Sequence, residues 1–215
     1  LSYDLTGTQT VSYNGKIQEP TVSNYSVVLA GLSDKYTLAD GDIAVKDNKA
    51  DPGTYEVYLT DQGIKSIAAK YGNEYALNES TSTATFTIIK DNATASIANG
   101  SKVYDGKKVS ESNFEPTLTV TSNNQIVNTI TLTTDEYTID KDGSAIGTYT
   151  IKLNAKGIDA VEKADPNYTF TNLSDVTATY TITAAKHTSE LSSGTKVYDG
   201  KKVSESDYKP TLTLK

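Results

Sequence analysis

The chain has 215 residues, 36% of them hydrophobic, a net charge of −7, 15 Tyr against 3 Phe, and no Cys, Met or Trp. The acidic balance repels phosphate backbones and anionic membrane surfaces, which argues against nucleic-acid binding, and the missing Cys excludes disulfides, thiolate metal sites and thiol nucleophiles. No apolar run reaches the about 18 residues of a membrane span, no signal peptide is visible, and the lack of any Met, initiator included, is what an excised or processed piece of a longer chain would show.

The first ten residues lead into Tyr13-Asn14-Gly15-Lys16, a turn signal because Asn and Gly both tolerate positive φ, and then Pro20-Thr21-Val22. Short strands are expected over residues 25–29, 35–38 and 43–45. The run Gly53 to Leu59 alternates strictly, with Tyr55, Val57 and Leu59 on an inner face and Tyr58 on the outer one. Ile64, Ile67, Ala68 and Tyr71 fall at helical spacing over residues 63–71, and a closing strand over 83–88 turns Ala84, Phe86 and Ile88 inward.

After a joint at residues 90–93 the pattern begins again. Lys102-Val103-Tyr104-Asp105-Gly106-Lys107-Lys108-Val109-Ser110-Glu111-Ser112 leads to Pro116-Thr117-Leu118-Thr119, and this returns at residues 196–213. Over these 18 positions the copies differ only at Asn113/Asp207, Phe114/Tyr208 and Glu115/Lys209. A repeat of this length means tandem modules. The stretch predicts an irregular hairpin, with Leu118 and Val120 inward and Thr117 and Thr119 outward. Strands are expected over 126–133, 137–139 and 147–153, the last with Tyr149, Ile151 and Leu153 inward. A short helix carries Ile158 and Val161 and stops before Pro166. The strand over 177–182 turns Ala178, Tyr180 and Ile182 inward.

The modules are therefore residues 1–90, residues 91–186, and the start of a third copy over 187–215, which we expect to dock on the second module or on a neighbouring chain. One helix between strands in about 90 residues favours a helix packed on one face of a mixed sheet. The expected class is α+β and β-rich: tandem β-grasp-like modules, each a mixed sheet crossed by one short helix.

The series Tyr104-Asp105-Gly106, Gly147-Thr-Tyr-Thr-Ile-Lys-Leu153, Lys156-Gly-Ile-Asp-Ala-Val161, Pro166-Asn-Tyr-Thr-Phe170 and Thr177-Ala-Thr-Tyr-Thr-Ile-Thr183 resembles the MBG-type repeats of mucus-binding and related surface proteins of lactobacilli. The resemblance is strongest over 103–184 and weaker over 1–51, where Asn14 replaces the motif Asp and Gly72-Asn73-Glu74-Tyr75 replaces Asp-Pro-Asn-Tyr. It implies a cell-wall-anchored, extracellular, multi-repeat protein of Gram-positive bacteria, attaching to host mucin or other glycoprotein glycans. It transfers no established binding residues.

Catalytic chemistry finds little support. The only His, His187, lies in a polar joint without a partner. Asp40-Gly41-Asp42 and Asp140-Lys141-Asp142-Gly143 can present oxygens to a calcium ion, but no acidic ligand follows at the required spacing, and turn chemistry explains them. No cofactor, no metal and no enzymatic activity are expected. The candidate ligand-binding residues are Tyr58, Tyr104, Lys107, Lys108 and Tyr198. An amphipathic Tyr ring can stack on a sugar, and the Lys pairs can meet sialylated or sulfated glycans. Against this, a motif Tyr can pack back on its own hairpin, and Lys pairs can simply solvate a turn or blunt an edge. The functional expectation is a non-enzymatic adhesin region acting weakly and multivalently. Its alternatives are a structural stalk of neighbouring repeats and an accessory region of a secreted glycan-processing enzyme.

Overall fold

The computed structural model describes residues 2–33, 35–72, 78–79 and 83–215. The first-module counterpart of Asp-Pro-Asn-Tyr, centred on Asn73 to Tyr75, lies outside them.

The first module opens with an 11-residue strand, β1 (Ser2–Ser12). Its first half pairs antiparallel with β2 (Tyr25–Leu29), which in turn pairs with β3 (Lys35–Tyr36). Between its halves stands Gly7 at φ +130°, where a Cβ would lie 2.4 Å from the Asn24 carbonyl oxygen, so only glycine lets β2 begin so close. Next come β4 (Ile43–Val45), β5 (Gly53–Leu59), α1 (Asp61–Tyr71), β6 (Asn78–Glu79) and β7 (Thr85–Ile89). The second half of β1 pairs in parallel with β7, β7 pairs with β5 and β5 with β4, giving a seven-stranded mixed sheet.

The second module repeats this wiring with one break. The equivalent of β1 is split into β8 (Asp91–Ile97) and β9 (Gly100–Val103). At the break Ala98 donates its N–H to the Thr117 carbonyl at 2.8 Å, and the Asn99 side chain accepts from Thr179 N–H at 2.8 Å. There follow β10 (Thr117–Ser122), β11 (Gln125–Thr131), β12 (Tyr137–Ile139), β13 (Gly147–Leu153), α2 (Ala155–Ala164), β14 (Tyr168–Phe170) and β15 (Thr177–Thr183). They form two four-stranded sheets, ordered β11-β10-β8-β14 and β12-β13-β15-β9, where one mixed sheet was expected. The class is nonetheless α+β and β-rich.

Alternation decides which side chains enter the core. Tyr149, Ile151 and Leu153 on β13 and Ala178, Tyr180 and Ile182 on β15 are buried, as are Leu118 and Val120. Val57, Leu59, Phe86 and Ile88 do the same in the first module, while Tyr55 is half-buried. Each module has its own core: one gathers Tyr3 through Ile88, the other Ala93 through Ile182.

Both helices begin alike. Thr60 Oγ1 accepts from Gly63 N–H at 3.2 Å, and Asn154 Oδ1 accepts from Gly157 N–H at 3.0 Å, which satisfies one donor of the first turn. Ile67 and Val161 point into the two cores.

One expectation fails, and a second fails in the half that places the third copy on the second module. The motif is no hairpin, because β9 pairs in parallel with β15 and β10 pairs with β8, so the two arms leave the turn for different partners. The third copy does not dock on the second module. Its strands β16 (Ser189–Leu191) and β17 (Leu212–Leu214) pair with each other, and residues 187–215 are exposed apart from half-buried Lys196 and Ser206. A two-stranded unit has too little apolar surface to bury more.

The loop between β11 and β12 ties into α2 from outside. Lys156 Nζ sits 2.8 Å from Asp135 Oδ2, and Thr133 Oγ1 donates to Asp135 Oδ1 at 2.6 Å. The Lys156 bond first, then Thr133, holds the Asp135 carboxyl down from 3.8 to about 2. A depressed carboxyl contributes stability that is full above its unfolded pKa and is lost as pH falls through the folded one. Acid titration followed by NMR should therefore show the Asp135–Lys156 link intact at pH 4 and released only on approaching pH 2. A midpoint near the ordinary carboxylate value would refute the pairing.

Candidate functional site

The Tyr-Asp-Gly loop owes its shape to Lys102. The Lys102 side chain is largely covered, and its ammonium donates to Asp105 Oδ1 at 2.9 Å, to the Lys107 carbonyl at 2.7 Å and to the Lys108 carbonyl at 3.1 Å. Asp105 Oδ1 also accepts the Lys107 N–H at 2.9 Å, and Gly106 supplies the left-handed residue, φ +79°, that closes the turn. The Lys102 bond, then the Lys107 N–H, lowers the Asp105 pKa. A short 3-10 turn, Val109–Glu111, follows. It plants Val109 in the core, Glu111 Oε2 accepts from Lys108 N–H at 2.8 Å, and Ser110 donates both N–H and O–H to Asp142.

The same loop forms in the third copy. There Lys196 Nζ reaches Asp199 Oδ1 at 2.6 Å and the Lys201 carbonyl at 3.0 Å with no module beneath it. Its conformation is thus encoded locally. In the first module Val11 takes the place of the cationic clamp, and only the Asx turn remains, with Asn14 Oδ1 accepting from Lys16 N–H at 2.9 Å.

Beside the loop lies an open cleft of about 390 Å3, whose lining includes Lys102, Asp105, Lys107, Glu111, Asn113 and Phe114. Phe114 meets Tyr180 edge-on at its base, with ring centroids 4.7 Å apart. Of the five candidate binding residues only Lys107 lines this cleft. Lys108 and Tyr104 share its loop and are exposed, Tyr198 occupies the equivalent loop of the third copy, and Tyr58 stands apart on the outer face of β5. Tyr58, Lys46, Asp47 and Glu56 line a second depression of about 390 Å3, where Lys46 and Glu56 pair at 3.1 Å. The five are therefore not one constellation. Sequence reading missed Lys102, Asp105, Glu111 and Asn113; the first three recur in the copy at 196–205, which was the available signal.

The acidic turns serve the backbone. Asp42 is buried, and its Oδ2 accepts from Ala39 N–H at 2.8 Å and the Tyr36 hydroxyl at 3.3 Å. Among the described residues no group of three or more His, Cys, Asp or Glu gathers as a metal site, and no helix is long and apolar enough to cross a membrane.

A second feature lies between the modules. Tyr13, the first-module motif tyrosine, meets Tyr168 edge-on at 5.4 Å and an interplanar angle of 88°. Asn167 Nδ2 donates to Asp51 Oδ1 at 3.2 Å, and Asp91 N–H donates to the Asn167 carbonyl at 3.3 Å. Burial, with Tyr13, Asp91 and Asp165 adding, pushes the Tyr168 phenol up.

Two copies of one α+β module, with the motif tyrosine of the first set against β14 of the second, define a tandem-repeat protein. The MBG domain matches residues 2–90 and 91–184, and the chain belongs to that family. Among solved structures, a cell surface adhesin from Lactobacillus reuteri aligns at 35% identity over 44% of this chain and 98% of that one, with a TM-score of 0.34. No curated protein matches the chain.

Proposed function

We propose that this chain is a non-enzymatic repeat region of a cell-wall-anchored bacterial surface adhesin, contacting mucin or other glycoprotein glycans weakly and through many copies at once. Each module is read as β-grasp-like, with the helix laid over the sheet, and residues 187–215 as the start of a third. Family membership across both modules supports the surface role. The observation that carries ligand contact is the cleft beside the Tyr-Asp-Gly loop. It is open and polar, and its carboxylate, amide and ammonium groups suit sugar hydroxyls and sialyl or sulfate charges. Lys107 and Lys108 supply the cationic rim, and Tyr58 offers a separate stacking face. Tyr104 and Tyr198 join the contact set wherever their loops remain uncovered.

A second reading, repeats as a stalk projecting another binding domain, is favoured by the Tyr13–Tyr168 and Asp51–Asn167 contacts, which stiffen the joint. Binding to immobilised mucin separates the two. Tethered in multiple copies, the chain should bind, lose binding when the mucin is deglycosylated, and weaken several-fold on Lys107→Ala/Lys108→Ala or Tyr58→Ala with its circular dichroism unchanged. A single copy should bind barely at all. Absence of binding in the tethered format would leave the stalk.

A further inference from the structure

The end of the first module that meets the second has a counterpart at the far end of the second module, and there it is bare. Tyr13 N–H donates to the Ile89 carbonyl at 2.9 Å, and Tyr104 N–H donates to the Thr183 carbonyl at 2.8 Å, so the two motif tyrosines stand identically on their closing strands. Tyr55 donates its hydroxyl to the Asp51 carbonyl at 2.7 Å, and Tyr149 to the Ala145 carbonyl at 2.8 Å. This fixes Ala145 as the counterpart of Asp51, and Ile146 as that of Pro52. Tyr13 is half-buried under Tyr168, whereas Val103, Tyr104 and Ile146 are 57%, 46% and 59% exposed. Tyr104 and Ile146 stand uncovered at the positions equivalent to Tyr13 and Pro52, beside which the second module sits on the first, and this marks the end as an interaction surface.

The register says what would cover it. Two residues beyond Ile89, Asp91 pairs in parallel with Tyr168, which is how the next module lays its tyrosine on Tyr13. Two residues beyond Thr183 stands Ala185. The chain after it takes the path of β8, because Leu191 pairs with Leu212 as Ile97 pairs with Leu118. We propose that the end of the second module bearing Tyr104 and Ile146 is the docking surface for a following module of the same family, whose Asn-Tyr strand pairs along residues 185–187 and sets its tyrosine on Tyr104.

This joint differs chemically from the first. Ile146 replaces Pro52, and Ala145 removes the carboxylate that receives Asn167, so the polar contact of the first joint has no equivalent here and the exposed side chains are apolar. The motif tyrosine thereby acts as a coupling residue between repeats, and a repeat exposes it only when nothing follows.

Tyrosine nitration by tetranitromethane, read residue by residue by mass spectrometry, tests this without any glycan, so its outcome is separate from that of the binding reading. In the 215-residue chain Tyr13 should react several-fold more slowly than Tyr104, and Tyr168→Ala should abolish the difference by accelerating Tyr13 alone. Appending a copy of residues 122–184 after Lys215 completes a third module carrying its own Asn-Tyr. Tyr104 should then react several-fold more slowly, with Tyr58 unchanged as the internal control. The proposal is overturned if Tyr13 already reacts as fast as Tyr104, or if Tyr104 reacts equally fast when the appended module shows amide protection. It is also overturned if Tyr104 protection in the unextended chain grows with protein concentration, which would put a second copy on this face.

Discussion

Replacing Gly157 by alanine is expected to destabilise the second module by about 2–3 kcal/mol, although the same change in most helices is stabilising by up to about 1 kcal/mol. The reason is contact, not backbone freedom. A Cβ at Gly157 would lie 2.0 Å from the Glu136 carbonyl oxygen and 2.8 Å from Leu153 Cδ2. Glu136 cannot retreat, because its carbonyl accepts from Asn154 N–H at 3.2 Å and its carboxylate from Thr133 N–H at 2.7 Å. The first module repeats the packing, with a Cβ at Gly63 lying 2.3 Å from the Asp42 carbonyl oxygen. Thermal unfolding should register the loss as a fall in the module's Tm on the order of 10 °C. An unchanged or raised Tm for Gly157→Ala would show that α2 does not seat so tightly on the loop between β11 and β12.

Phe86→Ala should go further, removing about 3–5 kcal/mol from the first module. Phe86 is the largest of the fully buried side chains, on β7 between β1 and β5, and its loss opens a cavity that strands held on both sides cannot close. Small domains hold only about 5–15 kcal/mol in total, so the first module should lose a large fraction of its stability and unfold at a much lower temperature. The second should survive, since its core shares no residue with the first. Amide exchange distinguishes the outcomes. Protection should fall by about two to four decades in β1, β5 and β7 and persist at Leu118, Ile151 and Ile182. Simultaneous loss from both modules would mean that the joint carries enough energy to make them one folding unit.

What the sequence revealed was whatever depends on neighbours a few residues away. β5 and β13 were legible from strict alternation, α1 and α2 from helical spacing of Ile64, Ile67, Ile158 and Val161, and β7 and β15 from Thr alternating with apolar residues. The motif was recognisable as a turn but its arms were misassigned. Nothing local in Lys102-Val103 says that these residues pair with Ile182 and Thr183, 80 residues on, and not with residues 117–120 across the turn. β14 escaped notice because three residues, Tyr168 to Phe170, carry no period of their own and become a strand only where β8 offers an edge. At the candidate site Lys107 was legible as an exposed charge. Lys102 was not, because its role rests on reaching two backbone carbonyls that exist only once the loop has closed.

The parallel pairing of each module's first and last strands has a mechanical consequence. The chain enters the first module at Ser2, runs the length of β1, on the order of 35 Å, and leaves at Ile89 beside Ser12. Entry and exit are therefore at opposite ends, and tension along the chain pulls β1 and β7 past each other in shear. The rungs from Thr8–Thr85 to Ser12–Ile89 share that load together, where a hairpin pulled from its open end would release them one at a time. A surface chain of such modules would resist drag with the bonds that close each fold.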